Sequence, residues 1–159
     1  MAHAKEERTL VILKPDCVQR GLLGEIISRF EKKGLKVAGL KMVHLSDAEL
    51  EGHYEPHKDK PFFASLKKYM KSSPVVVMVV MGLKAVEAVR VIVGPTKGYT
   101  ASAGSIRGDF SMSGNVTIVH ASDSVEAGIS ESARLFKDSE IFDYDRADFL
   151  HVYGEEELA

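Results

Sequence analysis

His120 is the residue in this sequence with the most chemistry within reach. It ends a run of β-forming residues, 116–120, and the polar run Ser122-Asp123-Ser124 follows it and opens a helix. A histidine at the end of a strand is ordinarily structural, and here the neighbours change that balance. Helix N-termini attract anions through free amides and the helix dipole. Glu131 falls on the helix that follows and can orient the imidazole. Upstream, Arg90, Thr96, Lys97 and Arg107 bracket a long loop. Cationic side chains with a hydroxyl among them are the donors a polyphosphate needs. A histidine beside such a loop suits a phosphoryl acceptor as readily as a proton acceptor.

Other groupings carry less. Neither G-x-x-x-x-G-K-[ST] nor G-x-G-x-x-G occurs, and Gly94-Pro95-Thr96-Lys97-Gly98 lacks the spacing of the first. Glu49, His53 and His57 are spaced by one helical turn, but Pro56 breaks the helix before His57 and no further Cys or His completes a metal-binding set. Cys17 has Lys14 and Arg20 nearby to depress its pKa, yet no partner histidine is visible, so it reads as structural.

The elements that position these residues follow from periodicity. Residues 9–13 read as a strand. Residues 21–33 carry Leu22, Leu23, Ile26, Ile27 and Phe30 at helical spacing, with Gly34 as the stop. A second strand covers 35–45. Ser46 and Glu49 form a capping box that opens a short helix toward Tyr54. Pro61 starts another helix, with Phe62, Leu66 and Tyr69 along one side. Residues 74–81 are almost continuously apolar, as in a strand covered on both faces. Ala85, Val86, Val89 and Ile92 mark a further helix. A long Gly-, Ser- and Thr-rich loop spans 94–115, a length that in a compact domain often signals function. The fourth strand is 116–120. Asp123 and Glu126 repeat the cap pattern before a last helix to Phe136, and the remainder reads as irregular. With the second and third strands adjacent, this order predicts an α+β, ferredoxin-like βαββαβ fold: a four-stranded antiparallel sheet covered by helices.

The 159 residues, 45% of them apolar, suit a single domain over 1–159. The acidic tail 154–159 is expected to fray. No stretch reaches the ~18 uninterrupted apolar residues of a membrane span, and the charged segment 1–8 has no hydrophobic core of a secretory signal. One cysteine forms no internal disulfide, so a reducing, cytoplasmic setting is the expectation. The net charge of −2 demands neither a nucleic-acid nor a membrane partner, and the lysine-rich 58–71 reads as a solvated face.

Six stretches then resemble the nucleoside diphosphate kinase family, in that family's order and spacing. They are Leu13-Lys14-Pro15-Asp16, Val18-Gln19-Arg20-Gly21, Gly52-His53-Tyr54, Pro61-Phe62-Phe63, Ser105-Ile106-Arg107-Gly108-Asp109-Phe110 and Val119-His120-Ala121-Ser122-Asp123-Ser124. The likeness runs from Arg8 to Tyr153. It implies a ping-pong transfer in which His120 takes the γ-phosphoryl of a nucleoside triphosphate on Nδ1 and passes it to a nucleoside diphosphate. By the same resemblance Lys14 contacts the sugar 3′-hydroxyl and the reacting phosphate, with Tyr54 beside it. Phe62 stacks on the base with little base selectivity. Arg90, Thr96 and Arg107 hold the phosphates, and Glu131 fixes the His120 tautomer. Magnesium arrives on the phosphates, with no dedicated protein ligands. A homo-oligomer is implied, a hexamer before a tetramer.

The sequence departs from the family pattern at several positions. Ala121 stands where a glycine is common, and Val116-Thr117 stand where Arg-Asn is common. The sugar contact therefore falls to Thr117 or to Asn115. The loop has Gly98 and Ala103 in place of the usual prolines. Two other readings compete: a family member that binds without turnover, and an RNA-binding module on the same fold. The second needs exposed sheet aromatics and a basic face.

Overall fold

The computed structural model describes residues 5–158. The start of the charged segment 1–8 and the end of the tail 154–159 lie outside the described residues. Along the chain, β1 (Glu6–Leu13) leads into two helices, α1 (Pro15–Gln19) and α2 (Leu23–Lys32), and then β2 (Lys36–Val43). Helices α3 (Asp47–His53) and α4 (Phe63–Met70) precede β3 (Val75–Leu83), and α5 (Ala85–Val93) follows it. After α6 (Ile106–Phe110) come β4 (Val119–Ala121) and α7 (Val125–Leu135), with α8 (Phe149–Val152) and α9 (Glu155–Leu158) closing the chain. The strands lie in the order β2-β3-β1-β4, and every pairing is antiparallel. With α2 and α5 as the two crossovers, this is the ferredoxin-like arrangement.

The apolar β3 is buried on both faces because its alternate side chains feed two cores. Val76, Met78 and Val80 meet Val11, Leu13, Ile26, Phe30 and Val89 on the side of α2 and α5. Val75, Val77 and Val79 meet Leu10, Ile12, Leu50, Met70 and Leu135 on the side of α3, α4 and α7. A fully buried aliphatic side chain contributes roughly 1.5–3 kcal/mol, so the sheet is a stiff platform for whatever stands at its ends. Helix α7 lies directly on β1, because a Cβ at Gly128 would run into the Arg8 carbonyl oxygen. That close approach brings Glu131, one turn later, over the strand that carries His120.

Several local expectations are met and several move. The Ser46–Glu49 capping box is formed in full. Gly34, at φ +97°, ends α2. The expected helix 21–33 begins instead at Leu23, and α1 stands ahead of it with Pro15 in its first turn. Gly21, at φ +66°, separates the two. Helix α4 starts at Phe63. The last long helix is capped one residue later than expected, by Ser124, whose extended backbone lets Oγ accept from the Ala127 amide at 3.0 Å. The loop 94–115 holds a 3-10 turn, Gly98–Thr100, and α6. Past Phe136 the chain forms a 3-10 turn at Asp138–Glu140 and the short helices α8 and α9, where an irregular course was expected.

The largest correction concerns the fourth strand, which begins at Val119, not at residue 116. Ile118 has φ +67°, and the Val119 amide folds back onto the Thr117 carbonyl at 2.6 Å. That is a γ-turn, a conformation that costs a β-branched residue roughly 1–3 kcal/mol and that no sheet ladder can contain.

Candidate active site

His120 lies on β4, an edge strand, opposite Ile12 of β1. Its Nε2 is 3.0 Å from Glu131 Oε2 on α7. Nδ1 makes no hydrogen bond among the described residues. The same Glu131 oxygen accepts from the Ser122 hydroxyl at 2.7 Å, and Ser122 Oγ accepts in turn from the Leu10 amide at 3.1 Å. Burial works to raise the Glu131 pKa, but the hydrogen bonds and charge of His120, with that from Ser122, outweigh it and hold the carboxyl below its ordinary value. An ionised carboxylate therefore faces Nε2, which fixes the tautomer with its proton there and its lone pair on Nδ1.

Lys14 follows directly on β1 and is buried. Its Nζ donates to Thr117 Oγ1 at 2.8 Å. Burial, then the nearby Arg107 charge, lowers its pKa to about 8 against the opposing pull of Asp16. Arg107 comes from α6 and rivets the two segments around it. Its guanidinium donates to the carbonyls of Gly94 at 2.9 Å, Thr117 at 3.3 Å and Val119 at 2.7 Å. Only a planar fork of five donors can do this and still present charge.

These groups line one open cavity of about 390 Å³. It brings together Lys14, Tyr54, Arg90, Thr96, Arg107, Thr117, His120 and Glu131, but not Phe62. Phe62 is 49% exposed, and its ring lies 5.8 Å from that of His57, which does line the cavity. Lys97 and Asn115 do not line it; the Asn115 side chain is exposed, and its backbone amide donates to Ser113 Oγ. Burial, aided by the Glu131 charge, raises the Tyr54 phenol pKa well above its usual range, so Tyr54 stays protonated.

Two contributors escaped the sequence reading. Ser122 anchors Glu131 to β1, and the sequence shows it only as one of several hydroxyls after His120. His53 packs edge-on against His120, with ring centroids 4.5 Å apart. Burial, then the His120 charge, lowers its pKa to about 3, so it is a neutral wall. Of the trio once weighed for metal binding, Glu49 is committed to its capping box, and His53 and His57 diverge. His53, His120 and Glu131 do place donor atoms within 4.8 Å of one another, but the Glu131 oxygen is already shared by His120 and Ser122.

The arrangement is an imidazole held by a carboxylate on one nitrogen, in a cavity walled by Lys14, Arg90 and Arg107. It can receive an anionic group and attack it. Both sheet faces are covered, and among the described residues none of the helices could cross a membrane.

The comparisons with known proteins agree. A family profile described as nucleoside diphosphate kinase matches residues 7–141. The nucleoside diphosphate kinase of Parabacteroides distasonis is 53% identical over 152 residues, covering 96% of this chain and 99% of that protein. That of Pyrococcus abyssi is 52% identical over 151 residues, covering 93% and 95%. Among solved structures, a halophilic nucleoside diphosphate kinase from Halobacterium salinarum in complex with CDP is similar at a TM-score of 0.91 and 41% identity, covering 94% of this chain and 99% of that one. A nucleoside diphosphate kinase family protein from Babesia bovis gives 0.89 and 42%, covering 92% and 99%. With a profile match over most of its length and relatives more than half identical over nearly all of it, the chain belongs to the nucleoside diphosphate kinase family.

Proposed function

We propose that this protein is an active kinase of its family. It moves the γ-phosphoryl group of a nucleoside triphosphate to a nucleoside diphosphate through a phosphohistidine at Nδ1 of His120, with low base specificity. The observation that carries the reading is the Glu131 bond to Nε2, which leaves Nδ1 facing a cationic cavity. Nδ1 attacks the γ-phosphorus as the bond to the β-phosphate oxygen breaks, and the diphosphate leaves. The ring becomes a phosphoimidazolium whose proton stays on Nε2 against the Glu131 carboxylate. The terminal oxygen of a second diphosphate then attacks phosphorus, and the N–P bond breaks. Phosphoryl transfer asks for positioning and charge stabilisation above all. Arg90, Thr96 and Arg107 supply these to the phosphates, Lys14 with Thr117 to the sugar and reacting phosphate, Tyr54 beside them, and Phe62 to the base.

Magnesium fits this site as a companion of the phosphates. Asp123 is the lining carboxylate with no hydrogen bond or ion pair among the described residues, and one carboxylate is no cage. When bound, the ion neutralises charge on the β- and γ-oxygens. A homo-oligomer, hexamer before tetramer, belongs to the same reading. Leu40 and Met42, 50% and 54% exposed on the edge strand β2, are the apolar edge that a second copy covers. A cytoplasmic setting suits the single thiol, Cys17, which is buried and whose pKa burial raises to about 12. The non-catalytic alternative has no observation in its favour, since His120, Glu131, Lys14, Arg90 and Arg107 are all retained around one cavity.

Intact mass after incubation with ATP and magnesium tests the proposal. One added phosphate is expected, labile in acid, removed by ADP and absent in His120→Asn. Undiminished labelling in that variant, or phosphate on Ser122, would overturn it.

A further inference from the structure

The γ-turn ahead of His120 is held from several sides. The Lys14 amide donates to the Ile118 carbonyl at 2.8 Å, and Arg107 takes the carbonyls on either side of Ile118. The Ile118 amide is the demanding group. In the left-handed region it points away from the sheet ladder, and a buried N–H without an acceptor is costly. Asp16 supplies the acceptor: its Oδ2 takes the Ile118 amide at 2.9 Å. Its Oδ1 takes the Tyr69 hydroxyl. One carboxylate on α1 and one phenol on α4 thus clamp the turn that decides where Thr117 projects and where β4 begins.

We propose that Asp16, braced by Tyr69, is a positioning residue for the reaction: by holding Ile118 in its γ-turn it sets Nδ1 of His120 and the Thr117 hydroxyl against Lys14. The proposal rests on the kinase reading for its kinetic readout, and it carries a structural readout that does not. Sterically, only glycine adopts φ +67° at little cost, so the clamp is needed because residue 118 is isoleucine.

The test is a set of variants assayed at temperatures where each is folded. Asp16→Ala should lower the single-turnover rate of His120 phosphorylation more than tenfold while the KM for nucleotide moves less than threefold. Asp16→Asn keeps an acceptor for the Ile118 amide and removes the charge, while its NH2 can donate to the Tyr69 oxygen in a bond of reversed direction, and it should stay within threefold of wild type. If Asn is as damaging as Ala, the effect is the Asp16 charge acting on Lys14, and the proposal fails. Adding Ile118→Gly to Asp16→Ala should recover at least threefold of the lost rate, because glycine relaxes the strain the clamp opposes. A purely structural role predicts no recovery, since the buried isoleucine side chain is lost as well. Should Asp16→Ala not fold, Tyr69→Phe replaces it, with a three- to tenfold rate loss expected and an unchanged rate overturning the proposal. The ring ¹⁵N shifts of His120, read without nucleotide, should move in Asp16→Ala and return in the double variant. Unmoved shifts would overturn the clamp even if the wild-type enzyme phosphorylates normally. Absence of phosphoenzyme in the wild type would overturn the kinase reading and leave the shifts to decide the clamp.

Discussion

Glu131 Oε2 sits 3.0 Å from His120 Nε2 and receives the Ser122 hydroxyl on the same atom. The carboxylate touches the imidazole on the side away from the attacking nitrogen. Replacing it by Gln removes the charge that steadies the phosphoimidazolium and offers an amide able to favour the wrong tautomer. Glu131→Gln should therefore slow single-turnover phosphorylation of His120 by about tenfold to a hundredfold, roughly 1.4–2.7 kcal/mol, with nucleotide Kd within twofold. An unchanged rate would remove Glu131 from the chemistry.

Lys14 makes the alkaline limb of activity a test of its role. Its pKa is lowered to about 8, chiefly by burial and then by Arg107. Its charge is present below that pH and is lost above it. Because kcat/KM reports the free enzyme, kcat/KM should fall as pH rises through about 8, and Lys14→Gln should be slower and lack that limb. Stability runs the other way. A lysine whose folded pKa is depressed binds more protons unfolded between about 8 and its ordinary value, so this group makes the nucleotide-free protein more stable as pH rises through that window. A Tm contribution of opposite sign, judged against Lys14→Gln, would contradict the assignment.

Phe62 is half exposed and lies next to His57, which lines the cavity. Stacking is indifferent to base identity. Adenine, guanine and pyrimidine diphosphates should differ in kcat/KM by less than a hundredfold, and Phe62→Ala should weaken all of them by similar factors, about 1–3 kcal/mol each. Loss confined to one base would point to hydrogen-bonded base reading instead.

What the sequence makes legible is what repeats or punctuates. The period of 3.6 in α2, the unbroken apolar run of β3 and the Ser46–Glu49 box each depend on side chains a few residues apart, and each is found with small shifts of boundary. Short helices held by tertiary contacts are different. Helix α1 spans five residues, too few for a hydrophobic period, and α6 lies inside a loop whose glycines and serines mask it. The γ-turn at Ile118 contradicts local preference outright: Val116 to His120 read as a β-strand by composition, and only the clamp of Asp16, Lys14 and Arg107 overrides it. The cavity residues were legible through the family resemblance. Ser122 and His53 were missed because their parts are contacts with other side chains, which one-dimensional spacing does not reveal.

Thr117 departs from the family pattern and yet lines the cavity. The family pattern commonly places an amide there, and Asn115, two residues earlier, was the competing candidate for the sugar contact. The turn at Ile118 directs Thr117 inward, where its hydroxyl accepts from Lys14 Nζ at 2.8 Å and lines the cavity, while Asn115 is exposed. A threonine hydroxyl is shorter than an asparagine amide and is already engaged by Lys14. Any ribose contact it makes is therefore expected to be weak, or to run through water. Thr117→Asn restores a group that can accept from Lys14 and donate to a sugar hydroxyl at once. A neutral hydrogen bond contributes about 1 kcal/mol net, so KM should improve by only a fewfold. The gain should appear with ribonucleoside and 2′-deoxynucleoside diphosphates and vanish with 3′-deoxy acceptors, if the contact is to the 3′-hydroxyl. Asn115→Ala should leave all three unchanged. Impairment by Asn115→Ala together with indifference to Thr117→Asn would give the sugar contact to Asn115, and the segment ahead of β4 would then have to rearrange when nucleotide binds.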